Sequence, residues 1–464
     1  MNVLQMQQHT PEEYLSKKVE ELNRTFTQVH IKGKNYVAFV SQNEFDNPYM
    51  EFMKKSDFKE FVHPLLIHPK VEVGKNLNGS PKMRSLAVAW MEHPRSSYAM
   101  RVTFRPDKKD RIVGDALNTY MGLGVRPQPY NDDDFQLKTY FDFVKEIICN
   151  NDITIYNYLV GWMAHMIQKP TEKPQVAILL TGGQGTGKGS LVEPLGKIMG
   201  PHYTHAISSD SITGRFNSDL ENKMLLFGDE FFAGSKKSTD KLKGLITEKS
   251  QRVERKSVNA FNVPSYTRLI LASNHENILH IEKDERRYLS LRVSDKYQQH
   301  TEYFKKLKEV TNNPEFLSKL LRYLMDYDIS KFAVMTVPKT KDLTHKKIDN
   351  LSSIERWAYD TIKTGATANG PCWPNFEDRQ TLKTLINDYI KSNSLPLIFG
   401  DQSQKIGTVL TKLGFKNTTH RKDGKVQRVV RFPDINEARK LFNEYIGADF
   451  DLFAEEDEPI NPLE

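Results

Sequence analysis

The 464-residue sequence predicts an α/β protein. It has a phosphate-binding core of buried strands, a mixed α/β domain before the core, a helical segment between them, and a basic helix–helix–hairpin unit at the C-terminal side. Three observations carry this. The apolar run 177–181 leads directly into Gly182-Gly183-Gln184-Gly185-Thr186-Gly187-Lys188-Gly189-Ser190, the spacing of a loop that closes backbone N–H groups round phosphate oxygens at a helix N-terminus. Two further apolar runs end on polar residues, 223–228 on Asp229 and Glu230, and 267–273 on Asn274. Buried parallel strands have this composition, and sites form beyond their carboxyl ends. Finally, two amphipathic patterns (380–390 and 403–413) precede strand patterns joined by Asp423-Gly424, a strong hairpin signal.

Residues 1–130 open with a helix, 11–24, capped by Thr10, followed by short strand-like runs such as 35–40 and 98–104. No carboxylate pair falls on a convincing strand here, so no primase activity is expected of this mixed α/β domain. Residues 131–172 read as a helical segment, with helices at 135–149 and 153–168, and are assigned to oligomerisation. The second helix is apolar enough to be core or a subunit contact, and His165 reads as a packed histidine. Asp132-Asp133-Asp134 reads as an acidic helix start that complements the helix dipole, not as a metal site. The core spans 173–335, and the polar stretch 336–352 reads as a linker.

In the core, Lys188 is placed to reach the β- and γ-phosphates of a nucleotide. Gly189 stands where a Ser or Thr ordinarily follows the lysine, which leaves Ser190 as the hydroxyl nearest Mg²⁺. A Lys-Gly-Ser order also occurs in small nucleotide kinases, a rival reading. Asp229 is placed to hold Mg²⁺, and Glu230 to orient and activate the attacking water. Asn274, at the end of the third strand, is placed for the γ-phosphate or that water. Arg286 and Arg287 form either a surface salt-bridge cluster or an arginine finger serving a neighbouring subunit, a finger role read first for Arg287 and otherwise for Arg286.

These four elements, in this order, resemble superfamily 3 helicases of the AAA+ class, chiefly the helicase part of phage, plasmid and genomic-island replication proteins, over about residues 135–330. The resemblance implies an AAA+ P-loop ATPase core with ATP and Mg²⁺ as cofactors, a homo-hexameric ring, and 3′ to 5′ translocation on single-stranded DNA. It also implies a helix near 240–247 before a DNA-contacting hairpin at 253–263. Lys256 would hold the DNA backbone there, with Arg255 and Ser257 beside it.

The C-terminal unit, 353–448, has a winged-helix layout that would bind origin duplex DNA. Lys405, Thr408 and Lys412 share one face of its second helix, while Ile406, Leu410 and Leu413 supply the buried face. Its wing carries His420, Arg421, Lys422, Lys425 and Arg428, suited to phosphate contacts. The last stretch, 449–464, reads as a disordered acidic tail.

Composition agrees with a polyanionic partner: 66 Lys and Arg against 59 Asp and Glu give a net charge of +7. Only two cysteines are present, which excludes a disulfide scaffold and a cysteine zinc site and suits a reducing cytoplasm. No apolar run approaches membrane-spanning length, and the N-terminal residues lack a signal pattern. The expected function is an ATP-dependent hexameric DNA helicase and replication initiator of a phage or mobile element, working with a separate primase or host replication proteins. The alternatives are an AAA+ origin-binding switch that remodels DNA without processive unwinding, and the nucleotide kinase.

Overall fold

The computed structural model describes all residues except 1–9, 32, 43–47, 68–69, 207–211, 213–219, 233–235, 254–260, 276–277, 369, 371, 397–401, 423–424 and 455–464. The chain is mixed α/β. Helix α1 (Pro11–Thr25) begins at a reciprocal cap, in which Thr10 and Glu13 satisfy each other's backbone N–H groups. Strands β1 (Thr27–Ile31), β2 (Lys34–Gln42) and β3 (Pro48–Lys54) follow. A hairpin of β4 (Val71–Lys75) and β5 (Pro81–Arg84) leads to helix α2 (Leu86–Glu92) and the short strand β6 (Tyr98–Ala99). The sheet order is β3-β2-β1-β6. Phe26, Phe39, Phe58 and Trp90 meet beneath this sheet in edge-on and tilted contacts.

Three short strands, β7 (Arg101–Thr103), β8 (Ile112–Val113) and β9 (Ala116–Asn118), bridge toward the core. Helix α3 (Phe135–Phe143) runs into a π-turn at Val144–Ile148, and α4 spans Ile153–Gln168. Asp134 caps α3 through the Gln136 and Leu137 N–H groups and pairs with Lys319 at 2.8 Å, as its reading as an acidic helix start requires. The apolar residues of α4 are buried in the chain's own core, among them Trp162, Met163 and Met166. On this helical segment the large apolar side chains left exposed are Phe135 and Ile153.

The central sheet is all parallel. It comprises β10 (Ala177–Thr181), β11 (Tyr203–Ala206), β12 (Leu225–Gly228), β15 (Arg268–Ser273) and β16 (Tyr288–Arg292), in the order β11-β12-β15-β10-β16. Helix α5 (Lys188–Met199) follows β10 directly. Helix α6 (Lys236–Thr247) precedes an antiparallel pair, β13 (Ser250–Val253) and β14 (Phe261–Pro264), whose connecting residues lie outside those described. Arg268, fully buried at the start of β15, donates to the Lys169 and Glu172 carbonyl oxygens at 2.7 Å each, which ties the end of α4 to the sheet. Burial lowers its pKa to about 9. His165, packed beside it, is lowered to about 4 by burial and by that guanidinium. Helices α7 (Thr301–Thr311) and α8 (Pro314–Asp326) close the core.

The stretch read as a linker instead contains an ordered helix, α9 (Lys341–Asp349), packed on β16. Its polar residues turn inward. Asp342 accepts from Thr181 Oγ1 (3.1 Å), Ser290 Oγ (2.5 Å) and Lys346 Nζ (2.5 Å). Side-chain exposure is only 5% for Lys346 and 10% for Asp342, so sequence polarity misreported burial here.

The C-terminal unit contains α10 (Ser353–Thr364), β17 (Phe376–Asp378), α11 (Arg379–Ser392), α12 (Gln402–Lys412), β18 (Lys416–Lys422), β19 (Lys425–Arg431) and α13 (Ile435–Ile446). Strand β17, absent from the sequence reading, completes a three-stranded sheet of order β17-β19-β18. Ile406, Leu410 and Leu413 are buried as expected, with Phe415 and Phe442. The tail begins as ordered chain: Asp449 pairs with Lys339 at 2.5 Å, and Leu452 and Phe453 pack on this unit. Residues 455–464 lie outside the described residues.

Candidate active site

The glycine-rich loop joins β10 to α5 and hence sits at the carboxyl edge of the sheet. The apolar residues of β10 are completely buried and hold the loop's first residue in place. Gly187 adopts φ +91°, a left-handed conformation natural to glycine. A Cβ there would stand 2.6 Å from Phe304 and 3.1 Å from Phe143, so the helix starts where no side chain fits. Thr186 Oγ1 donates to the Gly183 carbonyl at 2.9 Å and braces the turn.

Lys188 is the first residue of α5 and is 8% exposed. Its ammonium donates to the Gly182 O (2.7 Å), the Gly183 O (2.8 Å) and Asn274 Oδ1 (2.9 Å). Burial lowers its pKa, and the Asp229 carboxylate opposes that shift. The last contact joins residues 86 positions apart and arises because β15 lies between β10 and β12. Asn274, just past β15, therefore stands between the loop and the acidic pair.

Asp229 and Glu230 follow β12. The Asp229 N–H donates to Ala206 O at 3.0 Å, and the Phe231 N–H to Ala272 O at 2.9 Å, so both sides of the pair are anchored to neighbouring strands. Between these anchors Glu230 takes φ +50°, uncommon for a residue with a Cβ and a local strain of about 1 kcal/mol. Its N–H donates to Asp229 Oδ1 at 3.1 Å. His205, on the adjacent β11, places Nε2 3.9 Å from Asp229 Oδ2 and stacks on Phe227. Asp229 and Ser190 supply hard oxygen donors, and Mg²⁺ ordinarily combines one or two such protein ligands with phosphate oxygens. No cluster of three or more metal-ligating His, Cys, Asp or Glu exists among the described residues.

The two arginines differ. Glu285 is buried, at 1% side-chain exposure, and bonds Arg287 at 3.1 Å and Lys243 at 3.6 Å. Arg287 is thereby held within its own chain, whereas the Arg286 side chain is exposed. Sequence reasoning missed the segment after β16. Gln298 Nε2 donates to Gln184 O at 3.1 Å, the Gln299 N–H to Gly185 O at 3.2 Å, and Phe304 lies against Gly187. A groove of about 550 Å³ runs from this point between α3 and α7, lined by Phe135, Phe143, Glu146, Tyr303 and Leu307 among others. No local motif marks these residues; only the fold brings them to the loop.

Of the residues assigned to DNA, Arg255, Lys256 and Ser257 lie outside the described residues. On the C-terminal unit Thr408, Lys412, Arg421 and Arg428 are exposed, while the side chains of Lys405, Lys422 and Lys425 lie outside what is described. His420, on β18, stacks on Phe376 of β17 at 4.9 Å.

Residues 180–287 match a family of unknown function, DUF5906, which therefore covers the glycine-rich loop, the acidic pair, Asn274 and both arginines. The chain is similar to the DNA primase-polymerase of Nitratiruptor phage NrS-1, with 28% identity over 191 residues, or 38% of this chain. The similarity spans about a quarter of that relative's length, 26%. In fold the chain resembles the apo structure of the NrS-1 C-terminal region (305–718), with a TM-score of 0.64 and 17% identity, covering 92% of this chain and all of that one. A second form of the same region gives a TM-score of 0.65 and 18% identity, covering 90% of this chain and 99% of that one. The chain thus shares the fold of a phage replication protein's C-terminal region. No helix among the described residues is long and apolar enough to cross a membrane.

Proposed function

We propose that this chain is an ATP-driven DNA helicase of phage or mobile-element replication, an AAA+ protein of the superfamily 3 type that works as a homo-hexameric ring. The observation that carries the proposal is the meeting of Lys188 with Asn274 at 2.9 Å, beside a strand that ends on Asp229 and Glu230. A nucleotide kinase gives no reason for that third strand end. Similarity to a phage DNA primase-polymerase supports the replication role.

In this reading Lys188 and the loop N–H groups bind the β- and γ-phosphates of ATP. Asp229 and Ser190 hold Mg²⁺, which when bound supplies charge neutralisation across the phosphates. Glu230 accepts a proton from the attacking water, and Asn274 orients that water or the γ-phosphate. An arginine reaches in from the neighbouring subunit, and Arg286 is the better placed of the two because Arg287 is committed to Glu285. The hairpin at 253–263, with Arg255, Lys256 and Ser257, grips single-stranded DNA. The C-terminal unit acts as a winged helix, a reading that its order α10, β17, α11, α12, β18, β19 supports, and binds origin duplex through α12 (Lys405, Thr408, Lys412) and the β18–β19 wing (Arg421, Lys422, Lys425, Arg428).

Steady-state ATP hydrolysis with and without single-stranded DNA tests this reading. Wild type should be stimulated by DNA. Glu230→Gln should bind ATP without turnover. Equal turnover in wild type and Glu230→Gln would overturn the assignment.

A further inference from the structure

The N-terminal hairpin β4–β5 is anchored at its base, where Val71 is buried against α1 and α2, and projects beyond it. Every residue of β5 is exposed. Its tip is braced well beyond what a turn needs. The Asn76 N–H donates to Ser80 O (2.8 Å) and the Gly79 N–H to Asn76 O (2.9 Å). Asn76 Nδ2 donates to Ser80 Oγ (3.0 Å) and Pro81 O (3.2 Å). Asn78 Oδ1 accepts from the Ser80 N–H (3.1 Å) and hydroxyl (2.6 Å). This rigid turn presents Leu77 wholly to solvent, at 111% relative exposure. From the base, where Arg84 pairs with Val71, to the tip, where Lys75 pairs with Pro81, residues 70–84 carry Lys70, Lys75, Lys82 and Arg84 against one carboxylate, Glu72. Cations on an exposed edge strand also discourage edge-to-edge pairing, but that does not explain an ordered apolar apex.

We infer that this hairpin is a DNA-junction wedge: Leu77 inserts behind the terminal base pair of a fork and unstacks it, while Lys75, Lys82 and Arg84 hold the flanking phosphates. An apolar side chain inserted at a base step exchanges base stacking for its own burial. The phosphate contacts set its register without reading sequence. The rigid turn means that little conformational freedom is lost on binding. The inference rests on the reading that this chain acts on DNA, but it does not require the motor.

The test uses the full chain without ATP and a forked DNA carrying 2-aminopurine at the first junction pair. Wild type should raise the fluorescence as that base unstacks. Leu77→Ala should bind the fork within about twofold of wild type but lose most of the rise. K75E/K82E/R84E should bind roughly tenfold more weakly, with a shallower salt dependence. An undiminished rise with Leu77→Ala, wild-type affinity in the charge variant, or a change in oligomeric state with Leu77→Ala would each overturn the wedge. Because the probe contains no ATP, ATP hydrolysis by the same preparations separates failure of the wedge from failure of the helicase reading.

Discussion

Lys188 uses all three ammonium protons within the site, two on loop carbonyls and one on Asn274. Lys188→Ala should abolish nucleotide binding as well as turnover. Asn274→Ala should lower kcat at least about tenfold with little change in KM, the signature of a contact that matters in the transition state. The arginines separate by environment. Arg286→Ala should leave unfolding free energy within about 0.5 kcal/mol of wild type yet reduce turnover by roughly 10³-fold or more. Arg287→Ala should instead destabilise by about 1–3 kcal/mol, because Glu285 loses its closest charged partner. Chemical denaturation paired with kcat for each variant checks both, and the reverse pattern would return the finger role to Arg287.

At the scale of elements, the helices and strands whose signals are local were readable from sequence. Thr10, Asp152 and Asp378 cap helices through their own neighbours, so their starts are visible in the sequence itself. Strand β17 was not readable, because three residues carry too little pattern. Helix α9 was misread because Asp342 and Lys346 look like solvent residues and are buried as a pair. That pair touches Thr181, the residue just before the glycine-rich loop, and Lys347 donates to the Ile446 carbonyl at 3.3 Å, so α9 links the loop to the C-terminal unit. Lys346→Met should destabilise by about 3 kcal/mol or more, since it leaves a buried carboxylate without its cation. Adding Asp342→Leu should recover much of the loss. Thermal or chemical unfolding of the single and double variants measures the coupling, and additive losses would contradict it.

For the whole molecule, two buried histidines couple stability to pH. In His202, Nδ1 lies 2.8 Å from Asn222 O and Nε2 3.1 Å from the Met121 N–H, an arrangement that the neutral ring satisfies and the protonated ring breaks. Burial lowers the pKa of both His202 and His165 to about 4. The unfolded chain, with ordinary histidines near 6.5, therefore binds protons first as pH falls. Stability is full above pH 6.5 and is lost progressively toward 4, by up to roughly 3 kcal/mol per histidine. Melting temperature measured between pH 7 and 5 should fall, and should fall less in His202→Gln; a flat profile would contradict the neutral assignment. At this scale the order of the glycine-rich loop, the acidic pair and Asn274 was legible in the sequence because each closes an apolar run. The packing of Gln298, Gln299 and Phe304 on the loop was not legible, because it depends on where the chain returns after β16.

ATP-dependent strand displacement on forked DNA, comparing wild type with Lys188→Ala and Lys256→Ala, tests the central claim most directly. The account predicts that wild type unwinds and both variants fail, with Lys256→Ala still hydrolysing ATP. ATP hydrolysis by wild type without strand separation on either fork polarity would contradict the helicase and favour a DNA-remodelling switch.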